Sequence, residues 1–152
     1  MNTYAGTTPH AYSKGARVNA HDQSEVYDAI VANLHSALER WYSGDTHGYV
    51  ELFADDFTYF DSFGRARLNN RPQLRERYAP LQGNIDLPRF EMLEPTLQLF
   101  GETAVLSYNL HQFDHDGPTG PMWNTTEVYR QIDGAWRIVQ AHWSEAVEEQ
   151  AS

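Results

Sequence analysis

The chain has 152 residues, of which 41% are hydrophobic and 13% aromatic, values typical of one folded domain with a hydrophobic core. Its net charge of −10 argues against nucleic acid as a partner, because an acidic protein repels the phosphate backbone. The absence of cysteine excludes disulfides and thiolate chemistry. No apolar run approaches the ~20 residues of a membrane span or forms a signal-peptide core. We therefore expect a cytoplasmic protein.

The first part of the chain divides into an arm and a long helix. Residues 1–21 are rich in small and polar residues without periodicity, which predicts a flexible arm or, alternatively, a strap over a neighbouring surface. Asp22 and Glu25 have the spacing of a capping box, and Gly44 suits a helix stop, so a helix is predicted over about 23–43. Its apolar stripe consists of Val26, Ile30, Leu34, Leu38 and Trp41.

Three shorter elements follow the long helix. Asp45 can cap a short second helix. An aromatic run then predicts a strand over 57–63. Asn70 can cap a third helix, with Pro72 in its first turn and Pro80 at its end.

Beyond residue 84 the hydrophobic pattern has period two, which predicts strands. Gly101 and Asp133–Gly134 supply turns, and a longer hairpin loop is predicted over Asp114–Pro121. Helices first and strands last predict an α+β domain, in which a strongly bent antiparallel sheet wraps around the long helix and leaves a central pocket. The predicted strands are 89–99, 103–113, 123–132 and 135–145.

Two carboxylates lie on predicted strands. Because side chains alternate in direction along a strand, both can point into this pocket. Asp61 shares a face with Tyr59 and Phe63, and Glu127 shares one with Tyr129. In an aromatic cavity, burial raises a carboxyl pKa, and a second carboxylate nearby raises one of the two further. Such a pair can divide into a base and a hydrogen-bond donor. The alternatives are a turn residue for Asp61 and a solvent-facing strand position for Glu127.

The predicted strand 103–113 carries an asparagine and a histidine, and the sequence leaves open whether they face the pocket or the outer surface. If Asn109 and His111 face inward, they act as donors in the pocket; if they face outward, they belong to a polar subunit interface. His111 and His115 would be about 13 Å apart on a strand at ~3.3 Å per residue, too far for one metal ion. We therefore predict neither a metal site nor a cofactor.

The last strand predicts contact between copies of the chain. One face would carry a set of residues too apolar for water and too polar for a core, which favours a homodimer or larger ring. That set is Trp136, Ile138, Gln140 and His142, opposite Arg137, Val139, Ala141 and Trp143.

The order helix, helix, strand, helix and four-strand meander resembles the nuclear transport factor 2-like, or SnoaL-like, superfamily. The resemblance covers residues 22–146 and leaves the arm and a tail at 147–152 outside. Similarity to bacterial ketosteroid isomerase is carried by FADDFTYFDSFG and VQAHWSEA. Similarity to the association domain of calcium/calmodulin-dependent kinase II is carried by GETAVLSYNLHQFDHDG and TTEVYRQIDGAWRIVQAHWS. The superfamily includes isomerases, dehydratases, cyclases, hydrolases and non-catalytic assembly domains.

The resemblance to the isomerase implies roles for individual residues. Asp61 falls at the position of its general base, and Glu127 falls near its protonated acid, which donates to the substrate oxygen. Trp143 falls on an aromatic residue that lines the isomerase pocket. The isomerase's tyrosine donor has no counterpart, since Ala37 stands at about its place. The kinase association domain carries an arginine where Glu127 stands.

Together these features predict a cofactor-independent enzyme that transfers protons on a mostly apolar molecule bearing a carbonyl or hydroxyl group, by isomerisation, dehydration or cyclisation. Asp61 and Glu127 would be catalytic. The alternative is a non-catalytic ligand-binding or oligomerisation module. The expected partners are a small molecule and further copies of the chain, without nucleic acid or membrane. The predicted substrate-binding residues are Tyr59, Phe63, Trp41, Asn109, His111, Tyr129 and Trp143.

Overall fold

The computed structural model describes residues 20–148, so most of the predicted arm (1–19) and the end of the predicted tail (149–152) lie outside the described residues. The α+β class predicted from the sequence is confirmed. None of the helices within 20–148 has the length and apolar character that a membrane crossing requires. The elements are α1 (Ala20–Tyr42), α2 (His47–Val50), β1 (Phe53–Phe60), α3 (Arg71–Tyr78), a 3₁₀ turn (Ala79–Leu81), β2 (Arg89–Phe100), β3 (Thr103–Asp114), β4 (Gly117–Ile132) and β5 (Ala135–Glu145).

Helix α1 packs its predicted apolar stripe into the core. The helix begins at Ala20, so Asp22 lies in its first turn and not at the cap. A carboxylate there still favours the helix, because the amino-terminal end of a helix carries partial positive charge. Gln23 ties this end to the sheet by donating to the Leu97 carbonyl at 3.2 Å. The stripe residues are Ile30, Leu34 and Leu38, which are buried, and Val26 and Trp41, which are partly buried.

The segment between α1 and the meander follows the predicted order with shifted boundaries. The Asn70 side chain caps α3 by accepting from the Gln73 backbone N–H at 2.9 Å, as predicted. Strand β1, however, ends at Phe60, so Asp61 follows the strand and does not lie within it. The chain then turns back, and Leu68 pairs with Tyr59 across a single antiparallel bridge.

The five strands form one mixed sheet in the order β1-β5-β4-β3-β2. Strands β2 to β5 are the predicted antiparallel meander, and β1 joins the edge parallel to β5. The predicted loop over Asp114–Pro121 is wrong, because Asp114 already pairs with Gly117. The Asp114 carboxylate closes this tight turn by accepting from the backbone N–H groups of Asp116 and Gly117.

A bulge in β5 changes which residues face the core. Val128 pairs with Gln140 and Tyr129 with Ile138, so Val139 is an extra residue on its strand. Ile138 is consequently buried in the core, and the prediction that it lies on an outer face with Gln140 is wrong. Strict alternation fails here because one inserted residue reverses the direction of the side chains beyond it.

Candidate active site

A cavity of about 220 Å³ lies between the helices and the concave side of the sheet. It is mostly aromatic, and none of its described lining residues is charged. Its walls come from both helical and strand elements, so only the folded chain assembles it. The lining residues are Leu38, Trp41, Tyr42, Tyr49, Tyr59, Ser62, Phe63, Tyr78, Leu81, Ile85, Leu87, Gln112, Trp123 and Trp143.

Four of the predicted substrate-binding residues, Trp41, Tyr59, Phe63 and Trp143, line this cavity. Trp41 meets the ring of Tyr78 edge-on, with centroids 4.8 Å apart, which fixes one wall. The alternating pattern of the sheet accounts for Tyr59 and Trp143, because the neighbours on their faces are buried.

The other three predicted substrate-binding residues do not line the cavity. On β3 the inner face carries Tyr108 and Gln112, so Asn109 and His111 lie on the outer face. Asn109 donates to the Asn124 side chain at 2.7 Å on that outer surface. Tyr129 is buried in the core behind the cavity wall.

Glu127 is fully buried and surrounded by tyrosine hydroxyl groups. The Tyr49 hydroxyl donates to Glu127 Oε2 at 2.6 Å, and the indole N–H of Trp143 donates to the Tyr49 oxygen at 2.9 Å. Burial raises the pKa of Glu127 to about 7, and the hydrogen bond from Tyr49, together with the nearby hydroxyl groups of Tyr108 and Tyr129, offsets part of that rise. Tyr49 also lines the cavity, so it connects Glu127 to whatever the cavity holds.

The tyrosines around Glu127 are suited to donate hydrogen bonds. Burial raises the pKa of Tyr49, Tyr108 and Tyr129 well above the ordinary value, because it disfavours the phenolate form. The three hydroxyl groups therefore keep their protons at neutral pH. A carboxylate without a cationic partner can be accommodated by such donors, since hydrogen bonds to its charged form replace part of its lost hydration.

Asp61 occupies a different environment. Its side chain is fully buried, and Oδ1 accepts from Arg77 Nη1 at 2.7 Å. Burial raises the pKa of Asp61, while Arg77 and the backbone N–H groups of Phe63 and Gly64 oppose this rise. A Cβ added at Gly64 would overlap the Arg77 guanidinium, so glycine permits this close approach.

The prediction that Asp61 faces into the cavity is therefore wrong. Asp61 is not among the lining residues, although Ser62 and Phe63 are. The reason lies in α3, which brings Arg77 to Asp61 from sixteen residues further along the chain.

Comparison with known proteins places this geometry in a family. The sequence profile of the SnoaL-like domain matches residues 28–148. The chain belongs to the SnoaL-like family. Among curated proteins, none matches this sequence.

Three solved structures share this fold but belong to proteins that are described differently, as a candidate enzyme, a protein of unknown function and an association domain. A candidate ketosteroid isomerase from Parabacteroides distasonis is 34% identical, covers 77% of this chain and 85% of its own, and has a TM-score of 0.67. An NTF2-like protein of unknown function from Pseudomonas putida is 19% identical, with coverages of 87% and 92% and a TM-score of 0.69. The association domain of CaMKII from C. elegans is 20% identical, with coverages of 80% and 97% and a TM-score of 0.65. The last two similarities show the fold alone.

Sequence reasoning missed several side chains that surround the two buried carboxylates of this SnoaL-like domain. Tyr49 supplies a hydroxyl from α2, whereas Ala37 on α1 is buried and has none to offer. Tyr108 could have been found, because it shares a strand face with buried leucines. Arg77 had no signal of its own, since only tertiary contact brings it to Asp61. Within residues 20–148, no three His, Asp or Glu side chains are grouped closely enough to hold a metal ion.

Proposed function

We propose that this domain is a cofactor-independent proton-transfer enzyme acting on a mostly apolar small molecule that bears a carbonyl or hydroxyl group. The observation that carries the proposal is the 2.6 Å hydrogen bond from Tyr49, a cavity-lining residue, to the buried carboxylate of Glu127. A carboxyl group with a pKa of about 7 can give or take a proton at neutral pH. The similarity to a candidate ketosteroid isomerase also supports proton chemistry.

The proposed relay passes one proton between Glu127 and the substrate through Tyr49. When Glu127 is protonated, it donates to the Tyr49 oxygen and Tyr49 donates to the substrate oxygen. As negative charge develops on the substrate oxygen, Tyr49 gives up its proton and receives the proton of Glu127, which becomes a carboxylate. The indole N–H of Trp143 donates to the Tyr49 oxygen and stabilises negative charge on it.

Dehydration is the reaction that this relay supports best. The substrate hydroxyl accepts the proton and leaves as water with the electron pair of the C–O bond. As Tyr49 then takes a proton from the adjacent carbon, it gives its own proton to the Glu127 carboxylate, and the electron pair of the broken C–H bond forms the double bond. Isomerisation with a separate base would require Asp61 to leave Arg77 and enter the cavity. We therefore assign Asp61 a positioning role.

The experiment follows water loss and deuterium uptake by NMR, with neutral hydroxyketones of one or two rings in D₂O. We expect Glu127→Gln to lower the rate about 100-fold, because the amide cannot exchange a proton. Tyr49→Phe should lower it similarly. Glu76→Gln is the matched control, since it makes the same change at an exposed position of α3 and should keep the wild-type rate. A folded Glu127→Gln protein with wild-type turnover would contradict the proposal.

A second candidate function is assembly of several copies of the chain. It is supported by the similarity to a kinase association domain and by an exposed aromatic contact on the outer sheet face, where Phe60 is 43% exposed and its ring centroid lies 5.5 Å from that of His142. Sedimentation at micromolar concentration should show a homodimer or larger species. A monomer would contradict this candidate and leave the proton-transfer proposal intact.

A further inference from the structure

The volume of the cavity limits the size of its ligand. A dry protein cavity of about 150 Å³ accommodates benzene, whereas pockets for drug-sized molecules begin at about 300 Å³. This cavity, at about 220 Å³, lies between the two. A molecule of one or two rings fits these dimensions, whereas part of a four-ring molecule would lie outside the cavity.

The lining also limits the charge of the ligand. None of the described lining residues is charged, and the nearby pair of Asp61 and Arg77 is internally neutralised. An anion would lose its hydration in this cavity without gaining an opposite charge, and a cation would find only the partly protonated Glu127 behind Tyr49, so both are unfavourable. The ligand should therefore be neutral.

The aromatic walls favour a flat ligand. The rings of Trp143 and Tyr49 are perpendicular, with centroids 6.0 Å apart, and Trp41 meets Tyr78 at 77°. Flat unsaturated rings make favourable edge and face contacts with walls of this kind, in addition to the burial of apolar area.

Two polar side chains of the cavity lining lie on separate elements, in a lining that also includes Ser62, Tyr42, Tyr59 and Tyr78. One is the Tyr49 hydroxyl, which is bound to Glu127. The other is Gln112, whose carbonyl oxygen accepts from the Tyr42 hydroxyl at 3.1 Å while its amide nitrogen retains donor capacity. Both Tyr49 and Gln112 line the cavity, and their hydrogen-bond partners differ. A ligand with two polar atoms can therefore use both contacts.

From these features we infer that the ligand is a flat, neutral molecule of one or two rings, with an oxygen hydrogen-bonded to Tyr49 and a second polar atom hydrogen-bonded to Gln112. This inference rests on the proposed function for the role of Tyr49 alone. The size, the neutrality and the contact with Gln112 are independent of turnover.

Calorimetric titration of the wild-type protein tests the inference directly. The probes are 2-naphthol, its diol 2,6-dihydroxynaphthalene, the charged analogue 2-naphthoate and the neutral four-ring steroid androst-4-ene-3,17-dione. We expect 2-naphthol to bind, with 2-naphthoate and the steroid each weaker by about tenfold or more. The diol should bind more tightly than 2-naphthol, because it reaches the second polar contact.

Gln112→Met separates that second contact from simple burial, since it keeps the length of the side chain and removes its amide. The variant should lose the preference for the diol over 2-naphthol. Gln98→Met, the same change at an exposed position of β2, should keep the preference. If Gln112→Met does not fold, the wild-type series still decides the size and charge of the ligand.

Several results would overturn the inference. With the wild-type protein, they are a steroid or 2-naphthoate that binds as tightly as 2-naphthol, failure of every two-ring probe to bind, and the absence of a preference for the diol. With Gln112→Met, it is a preference for the diol that survives the substitution. If Glu127→Gln turns over substrate normally while the binding series holds, the proposed function fails and this inference stands. If the steroid binds and Glu127→Gln abolishes its turnover, the reverse is true.

Discussion

The two buried carboxylates of this domain, Asp61 and Glu127, are stabilised by opposite means. Asp61 pairs with the cation of Arg77, whereas Glu127 accepts a hydrogen bond from the neutral hydroxyl of Tyr49 and has no ion-pair partner among the described residues. Burial raises the pKa of both carboxyl groups, but the cation of Arg77 opposes this rise at Asp61 with its full charge, whereas neutral hydroxyl groups oppose it at Glu127 only through hydrogen bonding. Burial alone therefore does not identify the carboxyl group that titrates near neutral pH, because the charge of its partner also determines its pKa.

The largest effect should come from removing the cation. Arg77→Met leaves the Asp61 charge buried without a partner and should lower the free energy of unfolding at pH 7 by about 4 kcal/mol. The loss should shrink near pH 4, where Asp61 can bind a proton instead. Chemical denaturation at both pH values measures it. Arg75→Met, at an exposed position of the same helix, should change stability by less than about 0.5 kcal/mol. An equal loss in both variants would show that α3, and not the ion pair, is affected.

The next largest effect is the pH dependence that Glu127 imposes on the free energy of unfolding. Its pKa is raised from 4.5 to about 7 in the folded protein, so above pH 4.5 the unfolded chain loses this proton while the folded chain keeps it. Stability should therefore fall as the pH rises from about 4.5 to 7 and then level off, by about 3 kcal/mol in total. Denaturation series of wild type and Glu127→Gln isolate this contribution by subtraction. A difference that does not vary with pH would disprove the raised pKa.

A smaller effect tests how closely Arg77 packs on the turn after β1. Gly64→Ala adds a Cβ that overlaps the guanidinium and should cost about 2 kcal/mol. The cost should largely disappear in the Arg77→Met background, because the overlapping group is then absent. Thermal or chemical denaturation of the four proteins in this cycle measures the coupling. Additive costs would mean that Gly64 is required for the backbone and not for Arg77.

The smallest effect should follow from Tyr49→Phe. Loss of one hydroxyl at Glu127 should cost about 1 kcal/mol at pH 5, where Glu127 is protonated. The same variant should raise the pKa of Glu127 above 7, because the Tyr49 hydrogen bond lowers it in the wild-type protein. The denaturation series used for Glu127 would then level off at a higher pH. Tyr27→Phe, on a partly buried tyrosine of α1, should leave that curve unchanged.

Much of the architecture was predictable from local patterns. The α1 stripe, the Asn70 cap and the alternation of Glu127 with Tyr129 on β4 are all confirmed by the fold. Boundaries were less accurate, as the tight turn at Asp114 shows, because glycine and proline in the first part of β4 suggested a loop. The candidate site was predictable in part: Tyr59 and Trp143 line the cavity, whereas Asn109 and His111 lie on the outer face.

The sequence by itself determined the α+β class, the helical stripe and the turns at Gly101 and Asp133–Gly134, because these depend on hydrogen bonds and side-chain directions repeated over a few residues. Only the tertiary structure decided that Arg77 neutralises Asp61, that Tyr49 connects Glu127 to the cavity, and that the bulge at Val139 buries Ile138. Each of these depends on contact between segments far apart in the chain. Such contacts leave no periodic signal in the sequence, so the partners of the two carboxylates, and with them their chemistry, were fixed only when the chain folded.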